Sequence, residues 1–166
     1  MTKPKVHVLI VEDDAVDRMA CRRALARDPD YEFVLLEAET GREGLQLAHA
    51  HKPDCVLLDY HLPDLNGLEF LAELADDTGT IPVPVMMLTG ADNASVAVEA
   101  MKRGAQDYLV KDVNRQYLEL LPAVIQRVMR ESRTLIEKKQ VEKNLLQAEA
   151  KFRFLAAFDR RLAELA

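Results

Sequence analysis

The sequence predicts an α/β protein: a parallel sheet with helices on both faces, doubly wound. Three observations carry this. Five short apolar runs recur along the chain, at residues 6–11, 33–36, 55–58, 83–88 and 108–110. Stretches of helical period separate them. Each run is apolar at nearly every position and rich in Val, Ile or Leu, as suits strands covered on both sides. Strands alternating with helices make right-handed crossovers between parallel neighbours, which yields a doubly wound sheet.

Each element has its own signal. The strand at 6–11 runs into Glu12-Asp13-Asp14, where Asp14 suits the N-cap of a helix over about 15–27 that turns Met19, Ala20, Ala24 and Leu25 inward. After the strand at 33–36, Thr40 is a second N-cap candidate, opening a helix that buries Leu45, Leu47 and Ala48. The strand at 55–58 ends in Asp59, and a helix follows at about 68–75. The strand at 83–88 leads to a helix at about 94–103 closed by Gly104, a favourable residue past a helix end. A last strand at 108–110 leads into a fifth helix.

Composition narrows the function classes. The chain has 166 residues, enough for one domain and an appendage; with no Trp, its core must be mostly aliphatic. The net charge of −6 disfavours direct binding to nucleic acid, whose phosphates attract basic surfaces. Cys21 and Cys55 read as reduced core thiols, not as a disulfide framework or a metal site. The opening apolar run is too short for a signal peptide, and no segment approaches the roughly 20 apolar residues of a membrane span. A cytoplasmic protein with no membrane association is expected.

The last third differs in kind. From about residue 119 onward there is no Gly, and Pro122, the one Pro, suits a first helical turn. A helix of about 45 residues, roughly 70 Å at its usual rise, would then run to the C-terminus. Leu118, Leu121, Ile125, Val128, Ser132 and Leu135 follow steps of three and four. Val141, Leu145, Ala148, Phe152, Leu155 and Leu162 do the same in a different phase, with the slip at Glu137-Lys138-Lys139-Gln140. Such a broken heptad fits a helix that packs on its own domain first and on a partner later. The expected division is 1–130 for the globular domain and 131–166 for an extended, coiled-coil or linker-like helix. The apolar pattern still runs at residue 166, as in a piece of a longer chain or a protein whose output is helix-mediated association, here a parallel homodimer. A solvated, fraying tail is the competing reading.

Chemistry is expected where the strands end. Glu12, Asp13, Asp59, Thr89 and Lys111 come from the first, third, fourth and fifth strands, and ligands in open parallel sheets bind outside the carboxyl ends of the strands. Carboxylates gathered there repel one another, and a divalent cation removes the penalty; carboxylates with retained waters and phosphate oxygens suit Mg²⁺. A carboxylate can also attack phosphorus to form an aspartyl phosphate. The residues allow plainer readings too: the acidic triplet as a helix cap, Thr89 as a turn residue, Lys111 as a solvated loop lysine, and Tyr108 as a half-buried strand residue.

Val11-Glu12-Asp13-Asp14, Leu57-Leu58-Asp59-Tyr60-His61-Leu62-Pro63 with Gly67, Met87-Leu88-Thr89-Gly90, and Gly104-Ala105-Gln106-Asp107-Tyr108-Leu109-Val110-Lys111 resemble the receiver domain of bacterial two-component response regulators, over about residues 5–130. The resemblance implies a flavodoxin-like fold with a five-stranded sheet of order 2-1-3-4-5. It implies that Asp59 accepts a phosphoryl group from a histidine kinase or a phosphotransfer protein. It implies that Mg²⁺ is bound by Asp13 and Asp59, by Glu12 through water, and by the His61 backbone carbonyl. Thr89 and Lys111 would contact phosphoryl oxygens. Tyr108 would be the aromatic switch, turning inward as Thr89 moves and changing the surface of the fourth helix, fifth strand and fifth helix. The chain departs from the family in carrying Asp112 where Pro usually follows the lysine, and Glu12-Asp13 where two Asp are usual. The stretch Glu142 to Phe158 is similar to linker helices that join receivers to sensor or output domains. Such a protein signals and does not turn over substrate. The rivals are an Mg²⁺-dependent phosphohydrolase with an aspartyl nucleophile, in which His61 stands where a second Asp would act as acid and base, and an interaction module that never takes up phosphate.

Overall fold

The computed structural model describes residues 2–165. Five strands and five helices alternate: β1 (Lys5–Val11), α1 (Ala15–Ala26), β2 (Glu32–Ala38), α2 (Gly41–His51), β3 (Cys55–Asp59), α3 (Gly67–Leu74), β4 (Val85–Gly90), α4 (Ala94–Lys102), β5 (Asp107–Lys111) and α5 (Tyr117–Leu165). The strands form one sheet of order β2-β1-β3-β4-β5, parallel at every pairing. This is the flavodoxin-like doubly wound arrangement.

Strand alternation divides the core into two layers. Leu9, Val11, Val56, Leu58, Val85 and Met87 face one side, packed with Phe70, Leu71 and Leu74 of α3 and with Leu45 and Ala48 of α2. Val8, Ile10, Leu57, Met86 and Leu88 face the other, packed with Cys21 and Leu25 of α1 and with Tyr117, Leu121, Ile125 and Val128 of α5. Both cysteines are free and buried, and burial pushes each thiol up to about 12, so neither is a ready nucleophile.

The helix starts follow side-chain chemistry. Asp14 caps α1 by accepting from the Val16 and Asp17 N–H groups, and Thr40 caps α2 through the Glu43 N–H. Asn66 and Glu69 close a capping box on α3. Asp112 accepts from the Gln116 and Tyr117 N–H groups at 3.0 Å each, ordering the turn before α5. That is what Asp supplies in place of Pro after the lysine: a pair of anionic acceptors for a helix start.

Several boundaries differ from the sequence reading. Met19 is 45% exposed, and Cys21 takes the inward position with Leu25. β4 starts at Val85, not at residue 83, since Pro84 has no N–H for the ladder. Pro122 lies in the second turn of α5, not the first, because the helix starts at Tyr117. The inward series there is Tyr117, Leu121, Ile125 and Val128, with Leu118 only partly buried.

The chain forms two compact units, Met1–Met129 and Arg130–Ala166. The second is wholly helical through Leu165, with Val141, Leu145, Phe152, Phe154, Leu155, Phe158 and Leu162 all at least half exposed. No helix among the described residues is long and apolar enough to cross a membrane.

Gly44 tests how tightly the first layer is packed. A Cβ there would come within 2.7 Å of Val11 Cγ2 and 3.1 Å of Phe70 Cε2. In an open helix, Gly→Ala gains about 1 kcal/mol, but overpacking a core costs about 1–3 kcal/mol. Gly44→Ala should therefore destabilise the first unit by about 1 kcal/mol or more in urea unfolding. A stabilised variant would mean that Val11 and Phe70 give way easily.

Candidate functional site

The site lies at the carboxyl edge of the sheet. β1 ends at Val11, and the Glu12 N–H donates to the Ala38 carbonyl at 2.9 Å, so the chain stays in register one residue past the strand. Asp59 ends β3 and is buried, with its strand held by β1 on one side and β4 on the other. Because β1 and β3 are neighbours, Glu12, Asp13 and Asp59 converge: one ligand atom of each lies within 4.8 Å of the others. Asp13 is exposed, whereas Glu12 is 2% and Asp59 8% exposed.

Lys111 completes the cluster from β5. Its Nζ donates to Glu12 Oε1, lies 3.2 Å from Asp17 Oδ2, and lies 3.4 Å from Asp59 Oδ2. Burial works against its charge, but the Glu12 hydrogen bond and the Asp59 charge prevail and hold the ammonium above its usual range. The pKa of Glu12 also rises, which for an acid favours the neutral form. Burial, with the Asp59 carboxylate beside it, raises its pKa to about 9 despite Lys111. One ammonium does not balance this many acids, and the balance favours the protonated form of Glu12.

Two buried oxygens in the site have no partner: Glu12 Oε2 and the Thr89 hydroxyl. Orphaned polar atoms at such depth are uncommon and call for a ligand. A free carboxylate oxygen beside Asp13 and Asp59 fits a hard cation that takes oxygen ligands. A free hydroxyl on the neighbouring strand fits an anion.

Surrounding contacts fix the loops. Arg18, 12% exposed at its side chain, donates through Nη1 to the Glu12 carbonyl at 2.7 Å and the Asp13 carbonyl at 3.1 Å, and through Nη2 to Glu39 at 3.1 Å. After β3, the Gly67 N–H donates to the Tyr60 carbonyl at 2.8 Å, and a Cβ at Gly67 would come within 2.9 Å of Met87 Cε. His61 is exposed, its Nε2 3.2 Å from Asn93 Nδ2, and Tyr108 is 40% exposed on β5. The structure thus brings Glu12, Asp13, Asp59 and Lys111 into one cluster, with Thr89 buried at the end of the adjacent strand β4 and Tyr108 turned outward. Asp17 and Arg18 were not singled out from the sequence, because charged residues in the first turns of a helix are normally solvated. Their one signal was proximity to the acidic triplet.

Residues 8–121 match the response regulator receiver domain family. The chain belongs to that family. The receiver is 34% identical over 111 residues to protein PilH of Pseudomonas aeruginosa, covering 67% of this chain and 89% of PilH. It is 32% identical over 119 residues to the nitrate/nitrite response regulator protein NarL of Escherichia coli, covering 72% of this chain and 53% of NarL. Against NarL, then, it spans about half of the relative's length. The response regulator domain of Thermotoga maritima CheB matches it with a TM-score of 0.66 at 29% identity, over 75% of this chain and 96% of that domain. Receiver domains act in two-component signalling with histidine kinases or phosphotransfer proteins, and they bind Mg²⁺ in an acidic pocket, here the Glu12, Asp13 and Asp59 cluster.

The charge arrangement has a consequence for stability. In the unfolded chain Glu12 loses its proton near 4.5; in the fold it keeps it to about 9. The stability tied to that proton is complete below the lower value and is lost as pH rises through the higher one. With divalent cations chelated, the melting temperature should fall across this interval. Glu12→Gln, which has no proton to lose, should show a flatter profile. Equal slopes in the two proteins would mean that Glu12 is ionised in the fold at neutral pH.

Proposed function

We propose that this receiver accepts a phosphoryl group on Asp59 from a phosphohistidine of a kinase or phosphotransfer protein, and that the modification changes the surface formed by α4, β5 and α5. The observation that carries the reading is the convergence of Lys111, Glu12 and Asp13 on Asp59, beside a Thr89 hydroxyl without a partner. An Asp59 oxygen attacks phosphorus; the P–O bond forms as the P–N bond to the donor imidazole breaks, and the electron pair leaves with the nitrogen. Lys111 and Thr89 donate hydrogen bonds to the transferred oxygens, neutralising charge where phosphoryl transfer needs it. Asp13 and Asp59, with Glu12 through water and the His61 backbone carbonyl, would hold Mg²⁺, which would supply the remaining positive charge.

Switching follows from the same groups. Thr89, drawn toward the phosphoryl oxygens, leaves room for Tyr108 to turn in from its exposed position. Passing from mostly inactive to mostly active takes about 5.5 kcal/mol of differential interaction, on the scale of a few charge-assisted hydrogen bonds plus repacking. A phosphohydrolase would need an acid and base at residue 61. The His61 ring lies against Asn93, which favours the receiver reading.

Asp59→Asn should fold normally and take up no label from acetyl phosphate with Mg²⁺, whereas the unmodified protein is labelled at Asp59. Labelling of the variant at an undiminished rate would place the acceptor elsewhere.

The second unit serves, in this reading, as a parallel dimerisation helix. Val141, Leu145, Phe152, Leu155 and Leu162, at steps of three, four and seven, offer an exposed seam for a second copy. The full chain should sediment as a dimer, and Leu145→Glu with Leu155→Glu should shift it to monomer without changing labelling at Asp59. A monomeric unsubstituted chain would remove the dimer from the mechanism.

A further inference from the structure

Asp17 stands in the first turn of α1, its N–H held by the Asp14 cap at 3.0 Å. Its carboxylate meets Lys111 Nζ at 3.2 Å, and among the described residues no other side chain donates to it. Lys111 therefore faces three carboxylates: Glu12, Asp17 and Asp59. Glu12 and Asp17 accept hydrogen bonds from the ammonium, and Asp59 Oδ2 lies at ion-pair distance, 3.4 Å.

A phosphoryl group on Asp59 would draw the ammonium toward its own oxygens, and the three contacts differ in how readily each is released. Glu12 is 2% exposed with its second oxygen unpartnered, so losing Lys111 would leave a buried acid with no cation. Asp59 is the reacting group itself. The Asp17 side chain is 28% exposed, and water can replace the ammonium there.

We propose that Asp17 is a positioning residue that sets the charge balance of the site: it parks the Lys111 ammonium between transfers and yields it to the phosphoryl oxygens. The role rests on Asp59 being the acceptor. It has two consequences of opposite sign. An added carboxylate beside the acidic cluster strengthens cation binding. The same carboxylate repels an anionic phosphodonor and competes for Lys111, so it restrains uptake. At the effective dielectric of a partly exposed site, one charge so placed changes either quantity by roughly three- to thirtyfold.

The full chain and its Asp17→Asn variant would be compared in two measurements, with Asp59→Asn as the blank. One is the Mg²⁺ dissociation constant by calorimetry. The other is the rate of phosphoryl incorporation from acetyl phosphate at saturating Mg²⁺, in which Asp59 oxygen bonds to phosphorus and acetate leaves with the electron pair. Asp17→Asn should bind Mg²⁺ about three- to thirtyfold more weakly yet incorporate phosphoryl faster by a similar factor, with both differences shrinking at high salt. Asp17→Glu, which keeps the charge, should stay near the unsubstituted values. A misfolded variant would lose both properties together. Incorporation that is unchanged or slower in Asp17→Asn overturns the proposed role while leaving Asp59 as acceptor. An unsubstituted chain labelled no faster than the blank would overturn the acceptor reading and the role of Asp17 with it.

Discussion

One ammonium set against three carboxylates is the constraint on which the site depends. Lys111 meets Glu12, Asp17 and Asp59 with a single positive charge, and the burial of Glu12 beside Asp59 raises its pKa, which favours the protonated acid. A site balanced in this way responds to charge. Under the proposed function, a divalent cation would change which acids are ionised, and a phosphoryl group on Asp59 would compete for Lys111. Replacing these groups by apolar residues of similar size would often be neutral or stabilising in a protein core, so their presence is better explained by switching than by stability.

The sheet makes the crowding possible. With strand order β2-β1-β3-β4-β5, Glu12 and Asp59 end adjacent strands, while Lys111 ends a strand two places from β3. The lysine is paired in register with Gly90 and Thr89 with Val110, so the strand between carries a hydroxyl and then no side chain. A Cβ at Gly90 would make only an ordinary contact with Asn93 Nδ2, at 4.0 Å. Register is as important as order. Slipping β3 by one residue would exchange its two apolar faces and move Asp59 off the edge, and both faces of Val56, Leu57 and Leu58 are fully buried against different helices. The apolar layers thus fix the charges by forbidding other alignments.

That logic also explains what could be read from the sequence. A carboxylate that ends a run as apolar as Cys55-Val56-Leu57-Leu58 has few explanations, and a second acidic group and a lysine at matching strand ends leave fewer. Strand order came from motif resemblance, since periodicity alone does not order parallel strands. Asp17 and Arg18 were hidden because helical charges usually face water, and only the three-dimensional approach of β5 and of Glu39 gives these two their partners. Met19 reads as inward because a Met suits the apolar face of an amphipathic helix, but it is 45% exposed, whereas Cys21, which reads as a core thiol, is buried. Asp112 could not be interpreted from sequence, because its role lies in two backbone N–H groups four and five residues on.

The second unit poses a different physical problem. Its residues are mostly strong helix formers, so local propensity and a helical neighbour suffice to make it helical. Its apolar surface is not accounted for in that way. Val141, Leu145, Phe152, Leu155 and Leu162 make a narrow stripe that one partner helix can cover. Phe154, Phe158 and Leu165, 70%, 52% and 84% exposed, lie to one side of it and widen the face toward the end of the helix. A wide apolar face is typical of a helix packed against more than one neighbour, whereas a two-stranded coil needs only the narrow seam. The paired-helix reading therefore explains the middle of this unit better than its roughly three final turns, where the aromatic flank calls for an additional surface.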